Sequence, residues 1–282
     1  MCNQMKEDIT KQISVNIVNV FLSLKTSPPR IMHQPKRTIK DGILIYENPK
    51  GEHWYRSEKS KAWYPSVTMI TGIYPKGAGF ARWLGNAESL QDAERIRDEA
   101  GARGTRVHHA CEALLNNEPI TFDDYMTKEN LNFTQAVDEW QCLQGFIRWT
   151  EDHQPEMIST ETTVLSEVHK YGGTFDLACK IDGEIHIVDF KTSSAIYPSH
   201  FLQVQAYAWA ASEMKLIEGT PRISVLQFNK RTKTGYKFES HEWSTEEFSA
   251  FKACQELWQH SNPKFTGPKT LELTETLSLQ AT

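Results

Sequence analysis

The dipeptide Asp182-Gly183 constrains the fold of this chain more than any other feature of the sequence. It lies between two strand-like runs, residues 174–181 and 184–191, and an Asp-Gly pair in that position is typical of a two-residue β-hairpin turn. A loop of two residues determines the register of the whole hairpin. That register predicts that Asp176 lies directly opposite Asp189.

The alternation along the two strands predicts one polar and one apolar face. Lys191 lies two residues after Asp189, and therefore on the same face as both aspartates. The other face is predicted to carry a set of apolar side chains suited to a core: Phe175, Leu177, Val188 and Phe190. Two opposed carboxylates repel each other, and a divalent cation with oxygen ligands would offset that repulsion. The alternative is a pair of solvated aspartates, with Lys191 as an ordinary ion-pair partner.

The remaining pattern predicts one large domain with appendages, for which 282 residues at 39% hydrophobic content are sufficient. Residues 1–40 are expected to form an N-terminal appendage, with its flexibility left open. The main domain is expected over residues 41–262, with a helical part at 66–153 and a sheet core at 156–243. Residues 263–282 are expected to form a C-terminal tail.

Composition excludes several classes of protein. The five cysteines are far apart in sequence, which argues against a disulfide framework and against a metal or iron–sulfur site of the CxxC kind. No apolar run approaches the roughly 20 residues that span a bilayer, so no membrane association is expected and the cytoplasm is the expected location. The net charge of −5 disfavours binding to nucleic acid, because the phosphates are also negative, but local basic patches and a bound metal can offset this repulsion.

Two segments of the hairpin resemble the signature of the PD-(D/E)XK nuclease superfamily. They are Gly173-Thr174-Phe175-Asp176 and Val188-Asp189-Phe190-Lys191-Thr192-Ser193. The branch they resemble is that of the RecB-like exonucleases, which include Cas4-like, mitochondrial and many phage enzymes. The resemblance implies an α/β fold with a restriction-endonuclease-like central mixed sheet, flanked by helices and carrying an N-terminal helical section.

The resemblance also implies site residues. Asp176, Asp189 and Lys191 would be catalytic. Mg²⁺, for which Mn²⁺ could substitute, would be held by both aspartates, His108 and the backbone carbonyl of Phe190. Thr192 and Ser193, which follow the lysine directly, would support the site or contact DNA.

Upstream, residues 104–112 resemble the GTxxH helix of the same branch. By resemblance His108 is a metal ligand, although a helical histidine by itself is more often a surface or core residue. Glu112 lies four residues later on the same helical face, where it could orient the imidazole or simply form a helix pair. Arg103 and Arg106 flank the start of this segment and could reach a phosphate.

Downstream, Gln203 and Tyr207 resemble the QxxxY motif of the branch and lie on one helical face. They could contact DNA phosphate or hold Lys191 in place, and packing of Tyr207 into the core is the alternative. Glu161, on the first core strand, is either an additional acidic ligand or a surface residue.

These features predict a metal-dependent DNA nuclease, most simply an exonuclease, that hydrolyses phosphodiester bonds by in-line attack of a metal-activated water. A role in DNA recombination, repair or replication is expected, with a recombinase or single-strand-binding protein as a possible partner. The cysteines do not match the pattern of the Cas4-like members, so no iron–sulfur cluster is expected. An inactive DNA-binding or scaffold protein and a small-molecule phosphoesterase remain as alternatives, and the oligomeric state is left open.

Overall fold

The computed structural model describes residues 36–48, 51–228, 232–263 and 267–268. Within these ranges there are nine strands. In chain order they are β1 Lys36–Lys40, β2 Ile43–Glu47, β3 His53–Arg56, β4 Trp63–Pro65, β5 Glu156–Ser166, β6 Tyr171–Ile181, β7 Glu184–Lys191, β8 Arg222–Phe228 and β9 Tyr236–His241. The helices described are α1 Val67–Thr71, α2 Ala78–Asn86, α3 Leu90–Leu115, α4 Phe122–Lys128, α5 Phe133–His153, α6 Pro198–Glu213 and α7 Thr245–Ser261.

The strands form two sheets. The larger has five strands in the order β5-β6-β7-β8-β9. All neighbours in it are antiparallel except β7 and β8, which are parallel and are connected through α6. Helices α3 and α5 pack on one face of this sheet, and α6 and α7 pack on the other. This is the predicted α/β fold, a restriction-endonuclease-like mixed sheet between helices with a helical section before it.

The smaller sheet is antiparallel, in the order β1-β2-β3-β4, and lies against β6 through β3 and β4. It begins at Lys36, within the segment expected to be an N-terminal appendage. The rest of that predicted appendage, residues 1–35, lies outside the described residues, as does most of the predicted tail.

The hairpin of β6 and β7 has the predicted turn. Asp182 and Gly183 have φ angles of 51° and 82°, as a two-residue turn with both central residues in the left-handed region requires. The predicted register is confirmed from the turn as far as the pair of Leu177 and Val188, where the regular pairing ends. Asp176 immediately precedes Leu177 in β6, so it lies just beyond the last regular pair, and the predicted site begins where the pairing of the two strands ends.

The prediction of a single apolar face was wrong at one residue. Leu177, Val188 and Phe190 pack with α3 and α5, as one face should. Phe175 packs with α6 on the opposite face of the sheet. The alternation of side chains along β6 is interrupted between Phe175 and Leu177. The neighbouring strand β5 is irregular at the same level: Thr160 pairs with Leu177 and Thr162 with Phe175, but Glu161 between them has a φ of 44°, outside extended geometry.

The helix that carries His108 is longer than its amphipathic segment indicates. It begins after Ser89, whose side chain accepts a hydrogen bond from the backbone N–H of Asp92, and it continues through two glycines to Leu115. Its C-terminal half is held in the core by Val107 and Cys111. Among the described helices, none is both long and apolar enough to cross a membrane.

Candidate metal centre and active site

Asp176 joins three of the elements that form the candidate site. Its Oδ2 accepts a hydrogen bond of 2.6 Å from the backbone N–H of Phe190 on β7. Its Oδ1 accepts a hydrogen bond of 2.9 Å from Nδ1 of His108 on α3. Since the residue is only 8% exposed, its carboxylate has a defined position between β6, β7 and α3.

The charges of Asp176 and His108 stabilise each other. Burial by itself raises the pKa of Asp176, but His108, the charge of Lys191 and the Phe190 N–H together outweigh burial and hold that pKa below its ordinary value. Burial likewise disfavours the charged imidazole, and the Asp176 carboxylate outweighs it and raises the pKa of His108. The pair therefore resembles the carboxylate–imidazole arrangement found around metal ions.

Glu161 completes a cluster with these two residues. One ligand atom from each of His108, Glu161 and Asp176 lies within 4.8 Å of the others. The left-handed backbone of Glu161 belongs to the irregular point of β5, and burial, followed by the charge of Asp176, raises the pKa of Glu161 to about 7. Of the two roles considered for Glu161 from the sequence, the structure places it with the candidate ligands.

Asp189 and Lys191 form an ion pair on β7 beside this cluster. Asp189 is buried, and burial raises its pKa to about 6, with the charge of Asp176 acting in the same direction and Lys191 against it. The compact cluster within the described residues contains Asp176 but not Asp189. A ligand role for Asp189 therefore stays a prediction, while its contact with Lys191 is a feature of the structure.

A chain of polar contacts holds Lys191 from the side of α6. Its Nζ donates to Oε1 of Gln203 at 3.2 Å, and Nε2 of Gln203 donates to the Tyr207 hydroxyl at 2.8 Å. Of the roles considered for these two residues, this geometry is the one in which they hold the lysine, and Tyr207 also packs into the core, as the alternative for it stated. Gly173 allows the Tyr207 ring to pack directly on β6, because a Cβ there would overlap the ring.

The segment that follows Lys191 is also fixed by side chains. The Arg103 guanidinium donates to the backbone carbonyl of Thr192 at 2.6 Å, which connects α3 to the end of β7. The buried Gln227 side chain on β8 donates to the backbone carbonyl of Ser193 at 2.6 Å. Thr192 and Ser193 thus contribute backbone carbonyls to the support of the site.

Arg106 does not take the phosphate-facing position considered for it in the sequence. The Arg106 guanidinium binds Glu139 of α5 in a bidentate manner, at 3.1 Å and 2.5 Å, and Glu139 is 1% exposed. Arg106 is therefore turned toward the helical section and stabilises it. The hydrogen-bond partner of the His108 imidazole is Asp176 and not Glu112.

The donor set at the cluster fits a divalent cation. It contains two carboxylates and one imidazole, and the two carboxylates repel each other without a cation between them. Nδ1 of His108 and Oδ1 of Asp176 lie 2.9 Å apart, so both atoms would be available to one cation if it replaced the proton they share. The backbone carbonyl of Phe190 as a further ligand stays a prediction.

One residue at this site carries no signal in the sequence. Lys40, at the end of β1, places its Nζ 3.8 Å from Oε2 of Glu161. No motif includes it, and the contact joins residues more than a hundred positions apart. Only the packing of the smaller sheet against β5 brings the two together.

The fold and the site define an enzyme class, that of nucleases with acidic residues and a lysine at the end of a central hairpin. The sequence model of the PD-(D/E)XK nuclease superfamily matches residues 81–266, more than half of the chain. The chain belongs to the PD-(D/E)XK nuclease superfamily, and it is thereby placed among hydrolases that use divalent metals. No curated protein matches it significantly.

Two solved structures are similar to parts of the chain. One is the protein SSO0001, with 14% sequence identity, a TM-score of 0.31, and coverage of 48% of this chain and 64% of that one. The other is a protein of Eubacterium rectale described as a candidate exonuclease, with 7% identity, a TM-score of 0.37, and coverage of 57% of this chain and 65% of that one. The chain covers less than two thirds of the length of each.

Proposed function

We propose that this protein is a metal-dependent DNA exonuclease of the RecB-like branch. The observation that carries the proposal is the convergence of His108, Glu161 and Asp176 beside the Asp189–Lys191 ion pair, where the central hairpin ends. Such an activity would serve DNA recombination, repair or replication, and a recombinase or single-strand-binding protein is a suitable partner.

The cluster would hold Mg²⁺, or Mn²⁺ in its place, through the His108 imidazole and the carboxylates of Glu161 and Asp176, with Asp189 as a further candidate. A divalent cation in such a site supplies Lewis acidity, which polarises the phosphate and favours deprotonation of water. Asp176 orders the site for this purpose, because its two oxygens link the His108 ring and the Phe190 backbone into one unit.

Lys191 would supply the positive charge that the reaction needs. An ammonium group has three N–H donors. In this structure Asp189 forms an ion pair with Lys191 Nζ and Gln203 accepts one of its hydrogen bonds, which orients the ammonium and leaves a donor for a water molecule or a phosphate oxygen. That donor would orient the attacking water or neutralise charge on the phosphate as the bond breaks.

The experiment that tests this function compares end-labelled linear DNA with closed circular DNA, each incubated with and without Mg²⁺. An exonuclease degrades only the linear substrate, and only with the metal. Asp176→Asn and Lys191→Ala should abolish the cleavage, and Lys180→Gln, at the far end of β6, should leave it unchanged.

Three other outcomes would redirect the assignment. Cleavage of the closed circle would show an endonuclease. Metal-independent DNA binding without cleavage would show an inactive DNA-binding or scaffold protein of this fold. Hydrolysis of small phosphate esters that DNA does not inhibit would show a phosphoesterase.

A further inference from the structure

Lys40 belongs to the smaller sheet, yet its charge lies at the edge of the candidate metal centre. Its side chain is 40% exposed, and its Nζ is 3.8 Å from Oε2 of Glu161, near the upper limit for an ion pair. An ion pair of that separation, with its ammonium still in contact with water, contributes little stability. The contact is therefore weak enough for the ammonium to exchange Glu161 for another anion.

The backbone at Lys40 is firmly placed. Lys40 pairs with Ile43 across a turn formed by Asp41 and Gly42, whose φ angles of 52° and 75° fit a two-residue hairpin turn. Ile43 is buried in a small core with Tyr55 of β3. The lysine thus projects from a rigid hairpin and not from a mobile loop.

A second contact fixes that hairpin beside the site. Asp41 Oδ2 accepts a hydrogen bond of 2.8 Å from the backbone N–H of Thr163 on β5. β5 is an edge strand of the five-stranded sheet, so its outer backbone groups face no neighbouring strand in the part of the chain that the structure describes. Thr163 is only two residues from Glu161, and the Asp41 contact therefore determines where Lys40 lies relative to the cluster.

Three other basic residues close to the site have partners inside the protein. Lys191 is bound to Asp189, Arg103 to the Thr192 carbonyl, and Arg106 to Glu139. The cluster itself is acidic, and it would repel the phosphates of a nucleic acid. An exposed ammonium at its rim is suited to offset that repulsion.

From these observations we propose that Lys40 is a substrate-binding residue: its ammonium leaves Glu161 and binds a backbone phosphate of the DNA next to the cleavage site. Asp41 is a positioning residue that acts through Lys40. The inference rests on the proposed DNA nuclease function and extends it, because it makes the smaller sheet part of the DNA-binding surface.

The test measures DNA binding by fluorescence anisotropy in EDTA, where cleavage cannot interfere, with a short fluorescein-labelled duplex at a series of salt concentrations. Lys40→Gln should weaken binding about eightfold at roughly 0.1 M salt and reduce the salt slope by about 0.9, the contribution of one phosphate contact. Lys40→Arg should bind almost as the wild type does. Lys180→Gln is the matched control, since it removes the same charge far from the site, and it should change neither quantity.

A second pair of variants separates direct contact from an effect through Glu161. Lys40→Gln is introduced into a Glu161→Gln background, in which the lysine has no charge to neutralise. If Lys40 binds phosphate, the same loss of affinity and of salt slope appears there. A loss that vanishes in this background, or a Lys40→Gln variant that binds like Lys180→Gln, overturns the proposal. Failure of the wild-type protein both to bind DNA and to cleave it would instead overturn the proposed function.

Discussion

Gly173→Ala tests how the site lysine is held in place. A Cβ built at Gly173 would lie 3.0 Å from Cδ1 of Tyr207 and closer still to Cε1. The tyrosine ring is 2% exposed, so it has no free space into which to move. Its hydroxyl accepts the hydrogen bond from Gln203, which in turn binds Lys191. One added methyl group therefore acts on the protein core and on the ammonium at once.

Two effects are expected from this substitution. Overpacking of a buried site costs about 1–3 kcal/mol of unfolding free energy, which for a domain of this size lowers the Tm by about 2–4 °C per kcal/mol. Displacement of Tyr207 also releases Gln203, so kcat should fall more than the loss of folded protein explains. Tyr207→Phe keeps the ring but removes the hydroxyl, and it should reproduce the fall in kcat with a stability loss of only about 0.5–1.5 kcal/mol.

The assay combines urea unfolding with cleavage kinetics on linear DNA at saturating substrate. Gly101→Ala is the control, because a Cβ there has nothing within 4 Å and alanine favours a helix by roughly 0.5–1 kcal/mol relative to glycine. If Gly173→Ala were as stable and as active as Gly101→Ala, the proposed route from β6 through Tyr207 and Gln203 to Lys191 would be wrong.

Three further predictions concern single residues. Arg106→Ala should lower the unfolding free energy by about 3–5 kcal/mol in urea, because it leaves the buried Glu139 carboxylate without its cation; a change below about 1 kcal/mol would contradict that role. Glu161→Gln should weaken Mg²⁺ or Mn²⁺ binding about tenfold or more in isothermal titration calorimetry, and unchanged affinity would remove Glu161 from the metal centre. Burial, and then nearby lysines, lower the pKa of His200 from 6.5 to about 3. The folded protein thus binds fewer protons than the unfolded chain, and its stability should fall as the pH drops from about 6.5 toward 3. His200→Gln should flatten this dependence, and an unaltered pH profile of stability would refute it.

Local patterns in the sequence predicted the hairpin and much of what lies near it. The Asp182-Gly183 turn determines the register because two left-handed residues admit few alternatives. The motif on α3 identified His108, which contacts Asp176 in the structure. Each of these inferences needed only residues close in sequence, or a pairing that one turn defines.

Contacts between distant elements could not be predicted in the same way. The position of Glu161 depends on a local irregularity in β5, and nothing in its neighbours indicates a left-handed backbone there. The partner of Arg106, Glu139, lies on another helix, so the sequence suggested a phosphate contact and gave no indication of this ion pair. Phe175 was assigned to the wrong face because strict alternation was assumed through the same irregular point.

The hydrogen bond from Thr163 to Asp41 has a practical consequence for anyone who trims the chain. A fragment that starts at residue 81, where the superfamily match begins, lacks all four strands of the smaller sheet and the aspartate with them. The outer edge of β5 would then be bare, and bare edges recruit strands from other molecules. Insolubility of such a fragment would reflect this missing cover together with the loss of α1, whose buried Val67 and Ile70 pack in the core with α6 and α7.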